Sequence, residues 1–407
     1  MSTQPYIVFG SPCLGEEEMD AVRATLESGW IGTGPRVHRF EEEFRRYIGA
    51  NAAVAVNSCT AALHLAMLSS GLEPGDEVIT TPLTFAATAN AIVHAGGTPV
   101  FVDVDPDSLN IDPAQIADKI TDRTKVLLPV HFAGRPCDMD AITALAQQYD
   151  LRVVEDAAHA IEAKFHDRKI GTISPITCFS FYVTKNMTTA EGGMLCLDDS
   201  ELVEQIRTRA LHGLSADAWR RFSDDGYKHY EVAYPGFKYN MTDIQAALGL
   251  CQLRKIASWQ KRREEIWQRY DAAFEGLSCR RPSPVEPDTV HARHLYTLQV
   301  DPDRARLTRD EAMAALHERG IGTGVHYRAI HLHKYYRQRY LLSPDSFPVA
   351  TEVSQRIFSL PLSAKLTDEE VDRVITAVRD ILSPRPAFCR PATTWRKPAW
   401  QHVESTS

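Results

Sequence analysis

The order of apolar and polar positions divides the first two-thirds of the chain into alternating helices and strands. EEEMDAVRATLES (16–28) and RVHRFEEEFRRYIG (36–49) carry apolar side chains at helical spacing, and each runs out at a glycine, Gly29 or Gly49. AAVAVNS (52–58) reads as a short apolar strand, after which Asn57 and Ser58 supply cap chemistry for a helix over TAALHLAMLSSG. DEVITTP, TPVFVDV, TKVLLPVHF and LRVVEDAA read as further strands, with the helices TFAATANAIVHAG and DMDAITALAQQYD among them. TCFSFYV and GGMLCL form a closely spaced strand pair, the first carrying its apolar run through Phe179, Phe181 and Val183 to Lys185. This alternation predicts an α/β sandwich built on a mainly parallel sheet.

From Thr242 to about Leu277 the pattern turns helical and charged, as suits a long helix bridging to a second domain. Beyond about residue 290, strands (HLYTLQV) mix with helices (TRDEAMAALHERG, TDEEVDRVITAVRDIL), which predicts a smaller α+β domain. The expected division is a large domain over 1–260, a small one over 261–384 and a flexible tail over 385–407, where proline and polar residues leave no periodicity. No internal repeat is visible.

Size and charge narrow the picture. The 407 residues exceed one small core, and 44% hydrophobic with 24% charged residues is ordinary for a globular protein. The net charge of −8 is interspersed, with no basic stripe for nucleic acid. No apolar run reaches the roughly 18 residues of a membrane span, and MSTQPYIVFGSP lacks a secretory pattern, so a cytoplasmic protein is expected. The eight cysteines form no CxxC pair and read as reduced, mostly buried thiols. His326, His331 and His333 lack the companions of a metal site, and none is expected. GIGTG (320–324) lacks the strand–glycine–helix order of a dinucleotide fingerprint.

Lys185 is the residue in an odd place. A lysine at a turn is ordinarily a solvated side chain. Here, however, it stands past the end of an apolar strand and before Glu191, Gly192 and Gly193. A second strand, LRVVED, ends on Asp156, and in α/β sheets ligands gather outside the carboxyl ends of strands. An amine that can form a Schiff base, together with an acid for a pyridinium nitrogen, is the minimum apparatus of pyridoxal phosphate chemistry. The acid is needed because the ring withdraws electrons only while its nitrogen stays protonated, and a buried carboxylate holds that proton by charge pairing. NSCTAAL opens a helix whose first turn offers backbone N–H groups and the hydroxyls of Ser58 and Thr60 to a phosphate. Ser180 is a second candidate phosphate donor. Phe85 either stacks on the cofactor ring or packs in the core.

NSCTAALHLAM, VVEDAAHA, FSFYVTKNMTTAEGGML and FKYNMTDIQAALGLCQL, in this order and spacing, resemble the DegT/StrS-type sugar aminotransferases. The resemblance runs from about Ile7 to Leu382. It implies the aspartate-aminotransferase-like fold type I, with a mostly parallel seven-stranded sheet in the large domain. It implies pyridoxal 5'-phosphate as cofactor, held by Lys185 through a Schiff base, with Asp156 on the ring nitrogen and His159 near the ring hydroxyl. Ser58, Cys59, Thr60 and Ser180 would hold the phosphate, and Phe85 would stack on the ring. Asn240 resembles the asparagine that reaches the phosphate from a neighbouring subunit, which implies a homodimer with shared active sites. Many relatives have FSFH where this chain has Tyr182, which bears on substrate preference.

SGWIGTGP, LHGLSADAW and ERGIGTGVHYRAIHLHKYYR are similar to the bacterial enzymes that aminate a UDP-linked 4-keto-pentose, giving UDP-4-amino-4-deoxy-L-arabinose for lipid A of lipopolysaccharide. They are similar, less completely, to enzymes acting on UDP-4-keto-6-deoxyhexosamines, so a 4-keto-6-deoxyhexose on UDP or dTDP is the alternative acceptor. In both groups glutamate is the amino donor. The resemblance places His326, Tyr327 and Tyr182 near the sugar and Trp30 at the entrance. Two other readings are open: a dehydratase, whose known members replace the lysine with histidine, and a non-catalytic relative that keeps the fold as a binding or regulatory module.

Overall fold

The computed structural model describes residues 5–214 and 231–384. The expected tail, and positions 215–219 of LHGLSADAW, lie outside the described residues.

Helices α1 (Glu16–Glu27) and α2 (Pro35–Ile48) precede β1 (Ala52–Val56). Gly49 ends α2 at φ 89°, a left-handed conformation in which a Cβ is strained. There follow α3 (Cys59–Ser69), β2 (Glu77–Thr80), α4 (Ala86–His94), β3 (Thr98–Phe101), β4 (Thr124–Leu128), α5 (Met139–Tyr149) and β5 (Arg152–Asp156). A small hairpin of β6 (Lys164–Phe165) and β7 (Arg168–Lys169) leads to β8 (Ile176–Ser180), β9 (Gly193–Leu197) and α6 (Ser200–Ala210). Seven strands form one sheet in the order β1-β9-β8-β5-β4-β2-β3. Strand β9 runs antiparallel to β1 and β8, and the remaining neighbours are parallel. Strands β2, β8 and β9 are buried on both faces, which is why they read as continuous apolar runs, whereas edge strand β3 alternates.

One expected boundary moves. β8 stops at Ser180 instead of continuing through Val183. Phe181 is still fully buried and its N–H donates to the Gly192 carbonyl at 2.9 Å, but its carbonyl turns away to the loop, and Val183 is only half-buried. The chain after it is a tied loop: Thr189 N–H and the Thr188 hydroxyl both donate to the Phe181 carbonyl at 3.0 Å, and Lys185 N–H donates to the Tyr182 carbonyl at 2.9 Å. Lys185 therefore sits on a loop held at both ends.

The long helix is α7 (Asp243–Ala273), opened by a capping box of Thr242 and Gln245. With 31 residues it spans roughly 46 Å. Its first half buries Ala246, Leu250 and Leu253 with α2 and β1. Its second half places Ile266, Trp267 and Tyr270 in a different core with β11 (Tyr296–Val300) and β12 (Ile357–Leu360). There Tyr270 meets the Tyr296 ring at 5.1 Å and donates to the Pro361 carbonyl, so truncating it to alanine costs about 3–5 kcal/mol. β10 (Cys279–Arg280) completes an antiparallel sheet β10-β11-β12, covered by α8 (Arg309–Glu318) and α9 (Asp368–Leu382). GIGTG ties the start of the chain to the small domain, since Gly322 N–H donates to the Ile7 carbonyl and Ile7 N–H to the Gly320 carbonyl, both at 2.8 Å. Among the described residues no helix is long and apolar enough to cross a membrane.

Candidate active site

The carboxyl ends of β5 and β8 and the amino end of α3 open on one cavity of about 550 Å³. Ser58, Cys59, Thr60, Phe85, Asp156, His159, Ser180, Tyr182, Lys185, His326 and Tyr327 all line it, so eleven of the thirteen expected site residues converge there. Parallel pairing of β5 with β8 is the reason, since it brings the ends of two strands to the same edge of the sheet.

Asp156 is 4% exposed, and its neighbour Glu155 is fully buried. Successive side chains of a strand face opposite ways. Glu155 accordingly pairs with His131 Nε2 at 2.8 Å and accepts from Thr177, while Asp156 faces the cavity. Asp156 Oδ2 accepts from Thr88 Oγ1 at 2.8 Å and Oδ1 from Ala158 N–H at 3.1 Å. Burial raises its pKa, and these two hydrogen bonds with the Lys185 charge only partly offset it. No salt bridge to Asp156 exists among the described residues. A buried carboxylate fixed by donors yet lacking a cation is a site built for one.

Lys185 Nζ, by contrast, has no hydrogen-bond partner among the described residues. Burial of the amine lowers its pKa to about 8, against the opposing pull of Cys59 and Asp156. A substantial neutral fraction near neutral pH is what a nucleophilic amine requires.

His159 is 7% exposed, and its tautomer follows from its partners. Nδ1 accepts from Ala133 N–H at 3.2 Å, so the hydrogen lies on Nε2 and is donated to the Tyr327 hydroxyl at 3.0 Å. The ring is held neutral by burial first and then by the Lys185 charge. Tyr327, having accepted that bond, has its own proton to give into the cavity. His326 Nδ1 pairs with Ser359 Oγ at 2.8 Å, and burial takes its pKa down to about 4. His331 and His333 are engaged elsewhere, with Thr351 and the Arg328 carbonyl. Among the described residues no group of His, Cys, Asp or Glu is arranged to hold a metal ion.

At the opposite end, Ser58 caps α3 by accepting from Ala61 N–H at 3.1 Å. A Cβ at Gly193 would stand 2.6–2.7 Å from the Ser58 carbonyl and Cys59 N, so only glycine lets β9 run this close to the helix start. Cys59 is nearly buried and its thiol pKa is pushed well up by burial, leaving the backbone and the hydroxyls of Thr60 and Ser180 as donors. Phe85, as N-cap of α4, is 62% exposed, which rules out the core alternative. Its ring lies 6.1 Å from that of Tyr327. Tyr182 is exposed at the rim.

Two expected residues lie apart from this cavity. Asn240 donates to Thr33 Oγ1 at 2.6 Å and lines a separate surface pocket with Thr33, His38 and Glu41. Trp30, 54% exposed, packs over Gly34 beside Asp243, in the same neighbourhood. Sequence reasoning also missed Thr88, which sits one helical turn after Phe85, and a set of half-buried Asn186 with buried Glu162, Arg263 and His294. Only Asn186, next to Lys185 in sequence, offered a signal.

The donor set suits pyridoxal phosphate: a helix start with flanking hydroxyls for the phosphate, a buried acid for the ring nitrogen and a free amine for the aldehyde. The model of the DegT/DnrJ/EryC1/StrS aminotransferase family matches residues 12–379. Spore coat polysaccharide biosynthesis protein SpsC of Bacillus subtilis (strain 168) is 51% identical over 378 residues, covering 93% of this chain and 97% of that one. Spr1654 of Streptococcus pneumoniae, described as a sugar aminotransferase and solved in its PMP form, aligns with a TM-score of 0.87 at 33% identity, over 92% of this chain and 98% of that one. Helicobacter pylori PseC, an aminotransferase involved in the biosynthesis of pseudoaminic acid, aligns with a TM-score of 0.85 at 30% identity, over 93% and 99% of the two chains. The chain, with this site and these relatives, belongs to the DegT/DnrJ/EryC1/StrS aminotransferase family and is a pyridoxal phosphate-dependent sugar aminotransferase.

Proposed function

We propose that the protein moves an amino group from glutamate to the C4 keto carbon of a nucleotide-linked sugar, leaving 2-oxoglutarate. The observation that carries this reading is the pair Lys185, an amine with no hydrogen-bond partner among the described residues, and Asp156, a buried carboxylate with no cation among them, facing one cavity open to solvent. When bound, pyridoxal phosphate supplies an aldehyde that exchanges amino groups and a ring that takes up electrons. Asp156 holds the proton on the ring nitrogen, and the charge pairing repays its burial. Ser58, Thr60, Ser180 and the backbone at Cys59 hold the phosphate, and Phe85 covers the ring. Lys185 Nζ anchors the cofactor, then takes the proton from the glutamate α-carbon and later returns one to the sugar carbon. Tyr327, oriented by His159, donates towards the bound molecules.

The proposed acceptor is a UDP-linked 4-keto-pentose, giving UDP-4-amino-4-deoxy-L-arabinose; likeness of the segments around Trp30 and His326 to enzymes of that reaction supports it. A second reading, a 4-keto-6-deoxyhexose on UDP or dTDP, is favoured by the likeness to PseC, the aminotransferase of pseudoaminic acid biosynthesis. The two differ by a substituent at C5 worth about 1–3 kcal/mol. Asn240 and Trp30 lie together away from their own chain's cavity, which supports a homodimer in which they complete the partner's site. Incubation with glutamate and a panel of UDP- and dTDP-keto sugars tests the reading. An amino pentose supports the first version and an amino hexose the second. No amino sugar from any acceptor, with 2-oxoglutarate formed, overturns both.

A further inference from the structure

The order of strands in the sheet sorts the groups of the cavity onto two sides of Asp156. Strands β1, β9 and β8 lie on one side of β5, and β4 and β2 on the other. Ser58 follows β1 and Ser180 ends β8, so the hydroxyls offered to the phosphate stand on the first side. Phe132 follows β4 and Phe85 follows β2, on the second. Tyr327 belongs to the second side, because its ring lies 6.1 Å from that of Phe85 and 6.3 Å from that of Phe132. Its segment is pinned there by Ile330 N–H, which donates to the Pro82 carbonyl at 2.7 Å.

The shape of pyridoxal phosphate turns this order into a direction. Its ring nitrogen and its aldehyde stand across the ring from each other, and the phosphate arm and the 3-oxygen flank the aldehyde on opposite sides. With the nitrogen on Asp156, the aldehyde at Lys185 and the phosphate at the start of α3, the 3-oxygen faces the β4 side, where His159 and Tyr327 line the cavity. His159 has no hydrogen left to give. Its Nδ1 accepts from Ala133 N–H at 3.2 Å, and its single hydrogen, on Nε2, goes to the Tyr327 hydroxyl at 3.0 Å. The two rings are nearly parallel, at 17°. The Tyr327 hydroxyl keeps its own hydrogen, and no described residue takes it. Burial first, then the Asp156 charge, raises its pKa, so that hydrogen stays in place around neutral pH.

We propose that the Tyr327 hydroxyl donates to the 3-oxygen of the cofactor ring, and that His159 acts only through it, as a positioning residue. The nearness of His159 to the ring hydroxyl, implied by the resemblance, is thereby given a different donor. The bond adds a fourth fixed point to the nitrogen, the aldehyde and the phosphate, and settles how the ring lies in its plane. This rests on the reading of Lys185 and Asp156 as the groups that hold the aldehyde and the ring nitrogen.

Equilibrium binding to the apoprotein, followed by absorbance, tests the assignment with pyridoxal phosphate and with its 3-deoxy analogue, which lacks the oxygen. The readout is the ratio of the two affinities, from which any general loss of packing cancels. Tyr327→Phe keeps the ring and removes the donor, and the preference for pyridoxal phosphate over the analogue should fall roughly 10–100-fold, the range for one hydrogen bond to a charged oxygen. An unchanged ratio overturns the proposal. His159→Ala should lower the ratio in the wild type and leave it unaltered in Tyr327→Phe, whereas a further fall there would show that His159 donates on its own. Pyridoxal phosphate linked covalently in Lys185→Ala would instead overturn the reading of Lys185. Should Tyr327→Phe not fold, the hydroxyl proton resonance of Tyr327 in the wild type decides. A downfield shift with pyridoxal phosphate that is missing with the analogue supports the bond, and the same response to both overturns it.

Discussion

Thr88 Oγ1 stands 2.8 Å from Asp156 Oδ2, and Thr84 Oγ1 stands 2.8 Å from Thr88 Oγ1. Since the carboxylate accepts, the direction is settled along the row: Thr84 donates to Thr88, and Thr88 to Asp156. Each bond polarises the next. The row favours the charged carboxylate, partly offsetting a burial that raises its pKa.

Replacing Thr88 with valine keeps the shape and removes the donor. A hydrogen bond to a charged group is worth about 1.5–3 kcal/mol, so cofactor affinity should fall roughly 10–100-fold. Equilibrium titration of the apoprotein with pyridoxal phosphate measures it. Thr84→Val, one step removed, should cost less, and an equal loss would show that the row does not act in this order.

Asp156→Asn separates stability from function. The folded pKa is raised above the unfolded value of 3.8, so the folded apoprotein binds the proton more tightly. Its unfavourable contribution therefore appears as pH rises through the unfolded pKa and is complete above the folded one. The amide removes that contribution, and the apoprotein should melt at a higher temperature than the wild type at neutral pH. Activity should fall at least a hundredfold, because losing a buried charge partner costs about 3–5 kcal/mol. Thermal melts and turnover on the same preparations check both arms, and a lower melting temperature for the apoprotein would contradict the assignment of Asp156 as an unpaired acid.

Much of this was readable from the chain because parallel strands buried on both faces leave unbroken apolar runs, and their ends carried Asp156 and Lys185 in plain view. The end of β8 was not readable. Phe181 continues the apolar pattern into the core while its carbonyl is already turned to Thr188 and Thr189, and burial does not report where a carbonyl bonds. Phe85 was undecided between ring and core until its 62% exposure removed the core. Asn186 and His294 are 108 positions apart, and neither residue type signals that the fold will join them. Thr88 looks like any threonine on a helix.

The lysine makes a prediction about pH. Its folded pKa, about 8, lies below the unfolded 10.5, so between these values the unfolded chain binds more protons. Stability of the apoprotein contributed through Lys185 consequently rises with pH across that window. Lys185→Met lacks the titration. The melting temperature of the wild type should therefore gain on that of the variant as pH rises from 8 towards 10.5. A constant difference would mean that the amine is not held out of water.

Shared sites make a sharper prediction still. In a two-fold dimer each site would take Lys185 from one subunit and Asn240 from the other, because Asn240 faces a pocket separate from its own chain's cavity. Lys185→Ala and Asn240→Asp should each be inactive or nearly so as pure dimers. The aspartate keeps the size of the side chain while setting a negative charge against the phosphate. A hybrid of the two variants has one site with both changes and one with neither. After dissociation and random reassembly of an equal mixture, half of the dimers are hybrids, so activity should recover to about a quarter of the wild-type value. Sites built within single chains admit no such rescue, since every site in the mixture would still carry one change.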